Sequence, residues 1–460
     1  MIVNVAINNS TSRGQFADIR LSFSDRDGNL RSVPLHILFQ ELFDFSNDVS
    51  SVKFDLFLIA SIVYGVDNLL PRDEYSIDGW ARDIEVTIPV NNVQHWNVVC
   101  EKLVSLLSFL TGDYWSISFV QGNATFFENK MKRWKINIPT YNYNEIKHAT
   151  LFSGGLDSLV GVIDLLEQAS DNDKLLFISH YDSESAGTKS DQDKILSYLN
   201  PIPVYQNKIY HARSAVALSR IDSNGDKINC EPSLRSRSFL FISIGVYLIE
   251  SLTNANTLII PENGTISLNY PLTKSRTSTL STRTTYPYFI SKLQELLSDL
   301  GLTTQLKNPY WDKTKGELVA ECLNQRILAN SYLKSVSCGK RGRKQHWDTR
   351  SGTSHCGVCM PCIYRRAALH KINLDNQLYG IDLFTTPNHI YDKYDFPALS
   401  DFLKANMSLD DIKRNLIVNG SLNISELDTY AQVVDRVRDE IRDWINSKGN
   451  DELKSLAGLI

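Results

Sequence analysis

The chain has 460 residues, of which 42% are hydrophobic and 22% charged, and its formal net charge is −4. This length gives room for about three domains of roughly 150 residues, each with a buried core. The slightly acidic balance gives no overall attraction to nucleic acid or to anionic membranes, so neither partner is indicated.

The first residues have the pattern of a strand, because Val3, Val5 and Ile7 alternate along residues 1–9. We therefore expect no signal peptide and a cytoplasmic protein. The longest apolar stretch, FDLFLIASIVYGVDNLL, carries Asp55 and Asp67. A membrane span needs about 20 apolar residues, so this stretch is predicted to be a buried helix.

Residues 1–145 are predicted to form an accessory α+β domain for the recognition of a partner or a substrate. Two strand-like segments, FADIRLSFS and LRSVPLHI, flank Asp27 and Gly28, which is a hairpin signal. Apolar periodic segments near 51–70 and 93–110 and a strand-like WSISFVQG follow. No polar residues here have a recognisable catalytic spacing.

From residue 146 the pattern alternates between strands and helices, which predicts a parallel sheet covered on both faces. The predicted strands are KHATLF, LLFISH, PIPVYQNKIYH, NTLIIP and TQLKN. We assign residues 146–375 to this α/β core and residues 376–460 to a helical C-terminal extension. In the extension, one apolar stripe is predicted to be a packing face: Tyr430, Val434, Val437, Ile441 and Trp444.

A glycine turn, SGGLDS at 153–158, lies between the first of these strands and an apolar helix. Glycines at such a junction let backbone N–H groups and the helix N-terminus face an anion such as phosphate. The spacing matches neither a Walker loop nor G-x-G-x-x-G. A tight turn with Ser158 as the helix N-cap, and no ligand, is the alternative.

Four of the seven cysteines form a cluster, Cys338, Cys356, Cys359 and Cys362. Four thiolates from two nearby segments suit a closed tetrahedral zinc site of the structural type. An iron–sulfur cluster is the alternative. Four unrelated buried cysteines are a third interpretation, which the spacing disfavours. The predicted zinc would hold loop 338–362 against the core.

The turn S-G-G-x-D-S after an apolar strand resembles the pyrophosphate loop of the ATP pyrophosphatases, which cleave ATP between its α and β phosphates. This resemblance implies a Rossmann-like fold of the adenine nucleotide alpha hydrolase type, the PP-loop fold. It also implies that Asp157 lies near Mg²⁺ and that five residues contact the phosphates of ATP: Ser153, Gly154, Gly155, Leu156 and Ser158.

The turn together with the late cysteines resembles the 7-cyano-7-deazaguanine synthase family, QueC. LRSRSFLFISIG matches that family's R-N-x-x-F-L segment at Arg235 and Phe239, and DKTKGELV matches its T-K-x-E segment at Lys315. The resemblance implies that a 7-deazaguanine carboxylate is adenylated by ATP, that an amide forms with ammonia, and that a nitrile follows. Asp157, Ser158, Arg235 and Lys315 are then the expected catalytic residues, although solvated surface charges remain the alternative for Arg235 and Lys315.

The substrate segments depart from that family. Ser236 replaces its asparagine, residues 179–185 read SHYDSES, and a long polar stretch, 261–287, replaces its Y-P-D-C-R segment. That stretch is similar to the QueC-like proteins of Qat-type anti-phage operons, which also have a long N-terminal extension. The resemblance implies a substrate-binding role for five residues of the stretch: Glu262, Asn263, Lys274, Arg276 and Arg283.

The amine remains open between ammonia and a polypeptide from the same operon, which would become a deazapurine-modified partner. Two other functions remain open as well. One is an enzyme of the same superfamily that modifies tRNA or amidates a carboxylate, although tRNA binding predicts a basic surface that this chain lacks overall. The other is a scaffold that senses ATP without turnover. A polar surface loop is the alternative for the 261–287 stretch.

Overall fold

A computed structural model describes residues 1–9, 17–46, 48–127, 142–182, 187–272, 283–384 and 395–460. Over these residues the chain is an α/β protein with one large, mostly parallel sheet. The strands of the sheet are β1 Ile2–Asn9, β2 Ala17–Ser24, β3 Leu30–Leu38, β4 Asp83–Val90, β5 Tyr114–Gln121, β6 Ile146–Leu151, β7 Lys174–Tyr181, β8 Ile209–Leu218, β9 Thr257–Ile259 and β10 Gln305–Lys307.

The strand order is β10-β9-β6-β7-β8-β3-β2-β1-β4-β5. The five strands β6 to β10 are parallel to one another, as the alternating pattern after residue 146 predicts. The predicted hairpin is confirmed as well, since β2 and β3 pair antiparallel around Gly28, whose φ is 82°. The strand predicted for 201–211 is wrong in its first part. Residues 201–208 form turns, and β8 begins at Ile209.

The α-helices are α1 Gln40–Ser46, α2 Val52–Leu69, α3 Arg72–Tyr75, α4 Val93–Thr111, α5 Leu156–Gln168, α6 Thr188–Leu199, α7 Arg237–Ile249, α8 Gly264–Leu268, α9 Pro287–Asp299, α10 Lys315–Ala320, α11 Gln325–Ser331, α12 Met360–Lys371, α13 Phe396–Lys404, α14 Leu409–Asn419, α15 Leu427–Lys448 and α16 Asp451–Leu456. None of the described helices is both long and apolar enough to cross a bilayer. The apolar stretch with Asp55 and Asp67 is the buried helix α2, as predicted.

Helices cover both faces of the parallel strands. Along β7, Leu176 and Ile178 pack into a core built with α2, α4, α7 and α9, whereas Leu175 and Phe177 pack into a second core built with α5, α6 and α11. Alternate side chains of a strand point to opposite faces, so β7 is buried on both sides. The carboxyl ends of β6 and β7 therefore open between two helical layers.

The predicted accessory region and the predicted core share this sheet. Strand β3 pairs antiparallel with β8, from Leu35 opposite Leu218 to Leu38 opposite Ala215. The rings of Phe57 from α2 and Tyr247 from α7 lie 5.7 Å apart in the same core. The described residues before 146 thus extend the sheet of the α/β core and pack against its helices.

Residues 146–460, expressed without the first 145, are expected to aggregate. The truncation leaves the edge of β8 without its partner strand β3 and exposes the side of α7 that packs against α2. An unpaired strand edge and an exposed apolar face both favour association with other chains. Size-exclusion chromatography and circular dichroism check this expectation. A truncated chain that is monomeric and unfolds cooperatively would show that the core folds without the N-terminal strands.

The predicted amphipathic helix near the C-terminus is confirmed as α15. Its stripe residues, from Tyr430 to Trp444, are all buried. They belong to a third core that also includes Cys356, Cys359 and Cys362. The C-terminal helices therefore pack against the cysteine region.

Candidate functional site

The glycine turn lies at the carboxyl end of β6, which is a central strand of the parallel part of the sheet. Residues 152–155 connect β6 to α5, and Gly154 among them has a φ of 83°. This left-handed conformation favours glycine. In open α/β sheets, ligands bind outside the carboxyl ends of the strands, so the turn lies where a ligand site is expected.

Two serine hydroxyls of the turn bind its backbone. The Gly154 N–H donates to Ser158 Oγ at 3.2 Å, and the Gly155 N–H donates to Ser153 Oγ at 3.3 Å. Helix α5 begins at Leu156 with Gly155 as its N-cap. The interpretation of Ser158 as the N-cap is therefore wrong, because Ser158 lies in the first helical turn and its hydroxyl points back to the glycines.

A third hydroxyl comes from a distant segment. The Leu156 N–H donates to Ser337 Oγ at 3.2 Å, and the Val336 N–H donates to Gly154 O at 3.0 Å. Ser337 was not predicted as a site residue, and its only sequence signal is that it directly precedes Cys338. The segment before the cysteines thus supports the glycine turn from the side.

A cleft with a volume of about 1000 Å³ lies beside the turn. Its walls include Ser153, Gly155, Ser158 and Ser337, together with Glu262. Phe241, Ile242 and Ile260 add an apolar part to the lining. A cleft that combines an apolar wall with a few convergent polar groups is the usual form of a small-molecule site.

Basic side chains also reach this cleft, at positions that the sequence motifs did not single out. Arg237 opens α7, and none of the described residues forms a hydrogen bond or an ion pair with its guanidinium. Arg341 also lines the cleft, but it is paired with Asp191, with Nη2 and Oδ1 at 3.2 Å. Lys344, the third basic residue of the lining, donates to the Thr353 carbonyl oxygen at 2.7 Å. With respect to the described residues, Arg237 is therefore the basic side chain of the lining that is available to bind an anion.

Arg235, an expected catalytic residue, lies elsewhere. Its guanidinium stacks on the Trp80 ring at 4.6 Å and is not among the described groups that line the cleft. Burial and the nearby charge of Arg72 lower the pKa of Arg235 to about 10. These contacts place Arg235 between the start of α7 and the N-terminal part of the chain.

Asp157 and Lys315, two other expected catalytic residues, form a buried ion pair behind the turn. The second carboxylate oxygen of Asp157 accepts a hydrogen bond from Asn263 Nδ2 at 2.5 Å. Both oxygens are therefore engaged, and these contacts do not present a free carboxylate to a cation. They fit an anchor for the first turn of α5 and do not fit Mg²⁺ at Asp157.

Glu262 completes this group, because its carboxyl also hydrogen-bonds to Asp157. Burial and the neighbouring charge of Asp157 raise the pKa of Glu262 well above its usual value. Burial also disfavours the charged form of Asp157, but the charge of Lys315 and the hydrogen bonds from Glu262 and Asn263 outweigh it and lower its pKa. The proton shared by the two carboxyls therefore stays on Glu262.

The remaining residues that were expected to bind ATP or the substrate do not come together at the cleft. The side chain of Leu156 is buried in the core, so that its backbone N–H is its contribution to the turn. Arg283 stacks on Phe109 at 4.2 Å and donates to its carbonyl oxygen at 2.7 Å. Lys274 and Arg276 lie outside the described residues.

The four predicted metal ligands converge. The sulfur atoms of Cys338, Cys356, Cys359 and Cys362 all lie within 4.8 Å of one another, and three of the residues are buried. For a Zn–S distance of about 2.3 Å, a tetrahedral site separates neighbouring sulfurs by about 3.8 Å. The distance between the sulfurs of Cys356 and Cys362 is 3.8 Å. This donor set fits one zinc ion.

Comparisons of the chain with protein-family models, with curated proteins and with solved structures find no match. The chemistry of the site therefore has to be argued from its residues. The start of helix α5, the Ser337 hydroxyl and Arg237 all lie at one cleft, and this combination suits a phosphorylated ligand.

Proposed function

We propose that the chain is an AMP-forming, ATP-dependent ligase with a PP-loop core of the 7-cyano-7-deazaguanine synthase type. The observation that carries the proposal is the convergence of three features on one cleft: the turn 153–158, the Ser337 hydroxyl and Arg237, whose guanidinium has no hydrogen-bond partner among the described residues. The β and γ phosphates of ATP would lie against the turn. The apolar wall with Phe241 and Ile242 suits a planar heterocycle.

In the proposed reaction, a carboxylate oxygen of a 7-deazaguanine attacks the α phosphorus of ATP. The bond between the α phosphorus and the bridging oxygen breaks, and pyrophosphate leaves with the electron pair. An amine nitrogen then attacks the acyl carbon, AMP leaves, and the amine loses a proton to form an amide. Preorganised donors around the leaving pyrophosphate stabilise charge that develops in the first step.

Within this proposal, Asp157 and Lys315 have a positioning role. Their ion pair lies behind the turn and fixes the first residues of α5. Mg²⁺ would arrive with the phosphates of ATP, and no residue of this chain is assigned as its ligand. The zinc of the cysteine site would have a structural role, because four thiolates leave no open coordination position.

The amine is the part of the proposal that the cleft does not define. With ammonia, the product is a free amide, or a nitrile after a second ATP-dependent step. With a polypeptide amine, the product is a deazapurine-modified partner. We propose in that case a role in anti-phage defence beside proteins of the same operon, as the resemblance to the Qat-type proteins implies. Mass spectrometry of candidate partners distinguishes these products by the added mass.

The test is the formation of AMP and pyrophosphate by the purified chain with ATP, Mg²⁺ and 7-carboxy-7-deazaguanine. Arg237→Ala is expected to weaken ATP binding about ten- to hundredfold, because a hydrogen-bonded charge pair with phosphate is lost. Arg326→Ala is the matched control, since Arg326 is exposed on α11, away from the cleft.

Substrate-dependent AMP that falls in Arg237→Ala and not in Arg326→Ala supports the ligase. ATP binding without AMP, in the presence of the carboxylate and of either amine, would identify a nucleotide-sensing scaffold instead. If the two arginine variants bound ATP equally well, the cleft would not be the ATP-binding site.

A further inference from the structure

We infer that Ser337 is a phosphate-binding residue and that the four-cysteine site holds it in position. This inference rests on the proposed function, because it names a further contact for the same phosphates. Ser337 lies 179 residues after Ser158 in the sequence numbering, yet its hydroxyl oxygen is 3.2 Å from the Leu156 nitrogen and its side chain lines the cleft.

Among the three hydroxyls at the turn, that of Ser337 is the one with a free proton. Ser153 Oγ donates to Ser158 Oγ at 3.2 Å, and Ser158 Oγ donates to Gly155 O at 3.0 Å. Ser337 Oγ accepts from Leu156, and none of the described groups accepts its proton. A hydroxyl that accepts from the turn and still has a proton to donate is suited to bind a phosphate oxygen.

The backbone around Ser337 is held on both sides. The Val336 N–H binds Gly154 O at 3.0 Å, and the Ser337 N–H donates to His355 Nε2 at 3.1 Å. The next residue is Cys338, whose sulfur accepts from the Cys356 N–H at 3.3 Å. Three consecutive residues therefore connect the glycine turn to the cysteine site.

This connection predicts that metal binding and phosphate binding depend on each other. An ion bound by the four thiolates would fix the position of Cys338. Because Ser337 is joined to Cys338 by one peptide bond, its position would be fixed as well. Without the ion, Cys338 and its neighbours are held only by hydrogen bonds, so the Ser337 hydroxyl loses its defined position.

Isothermal titration with sodium pyrophosphate and with ATP tests the role of Ser337. Ser337→Ala is expected to bind both ligands about ten- to hundredfold more weakly, because it removes one hydrogen bond to a charged group. Its metal content, measured by mass spectrometry, is expected to equal that of the wild type. Ser337→Thr is expected to recover part of the affinity, and the exposed Ser197→Ala is the control.

Equal affinities of Ser337→Ala and the wild type would overturn this inference and leave the proposed function intact. A wild-type chain that binds neither pyrophosphate nor ATP would overturn both. In the metal-stripped wild type, pyrophosphate affinity is expected to fall at least as much as in Ser337→Ala, with faster hydrogen exchange at 153–158. Unchanged affinity after stripping would overturn the holding role of the cysteine site.

His355→Leu keeps all four cysteines and covers the case in which stripping unfolds the chain. It removes the acceptor of the Ser337 N–H and is expected to weaken pyrophosphate binding with the metal still bound. Wild-type affinity in this variant would contradict the connection through residues 336–338.

Discussion

Replacing Cys362 by serine is expected to remove the bound metal and to lower the melting temperature by on the order of 10 °C or more. The sulfur of Cys362 is fully buried and lies within 4.8 Å of the three other sulfurs. The free energy of binding of a structural zinc is about 10–16 kcal/mol, and it becomes folding free energy because the unfolded chain has no preformed site. Metal analysis and thermal unfolding check this result.

Cys100→Ser is the matched control, because Cys100 lies on α4, far from the cluster in the sequence, and donates to the Ile117 carbonyl at 3.4 Å. It is expected to keep one metal ion per chain and a nearly unchanged melting temperature. The close spacing of the four sulfurs favours a single ion, because an iron–sulfur cluster places several atoms between its thiolates. A colourless protein with one zinc per chain is the expected result, and absorbance of an iron–sulfur chromophore would contradict it.

If Cys362→Ser retained full metal and stability, the four sulfurs would be close only because they are buried. The same variant also bears on the third core, since Cys356, Cys359 and Cys362 pack there with helix α15. Loss of the metal is therefore expected to loosen the C-terminal helices, which hydrogen exchange along residues 427–448 would report.

The sequence allowed the parallel part of the sheet to be predicted because that information is local. Strands buried on both faces have continuous apolar runs, and LLFISH is such a run. The pairing of β3 with β8 could not be predicted, because it joins residues about 180 positions apart and leaves no pattern within either strand. The boundary at residue 145 marks a change of pattern across which the sheet continues.

The same difference between local patterns and long-range contacts applies to the site. Ser153 and Ser158 were predicted because they lie in one six-residue turn, and the four cysteines were predicted because thiolate spacing is distinctive. Ser337 reaches the turn only through the fold. Arg235 matched a family segment, but Trp80 from the N-terminal part of the chain stacks on it, and Arg237 takes the place at the cleft.

Replacing Lys315 by methionine is expected to destabilise the chain by about 3–5 kcal/mol at neutral pH, the usual result of breaking a buried ion pair. The variant leaves the Asp157 carboxylate buried without its cation, and the hydrogen bond from Asn263 compensates only in part. Chemical denaturation at several pH values measures the change. Glu262→Gln is the contrasting variant, because it keeps a side-chain donor beside Asp157 and removes a group that resists ionisation.

The two variants have opposite pH dependences. The pKa of Asp157 in the folded chain is lowered from 3.8, so its ion pair stabilises the fold above that value and is lost as the pH falls through the folded pKa. The loss of stability in Lys315→Met is therefore expected to be full at pH 7 and to shrink in acid. The pKa of Glu262 is raised above 4.5, so its favourable contribution is present below 4.5 and is lost as the pH rises through the raised pKa.

Glu262→Gln is accordingly expected to equal the wild type in stability near pH 4 and to exceed it at alkaline pH. A Lys315→Met variant that is as stable as the wild type at pH 7 would show that Asp157 does not depend on its buried cation. In that case the first turn of α5 would be held by the hydrogen bonds of Asn263 and Glu262 to Asp157 and by the serine hydroxyls.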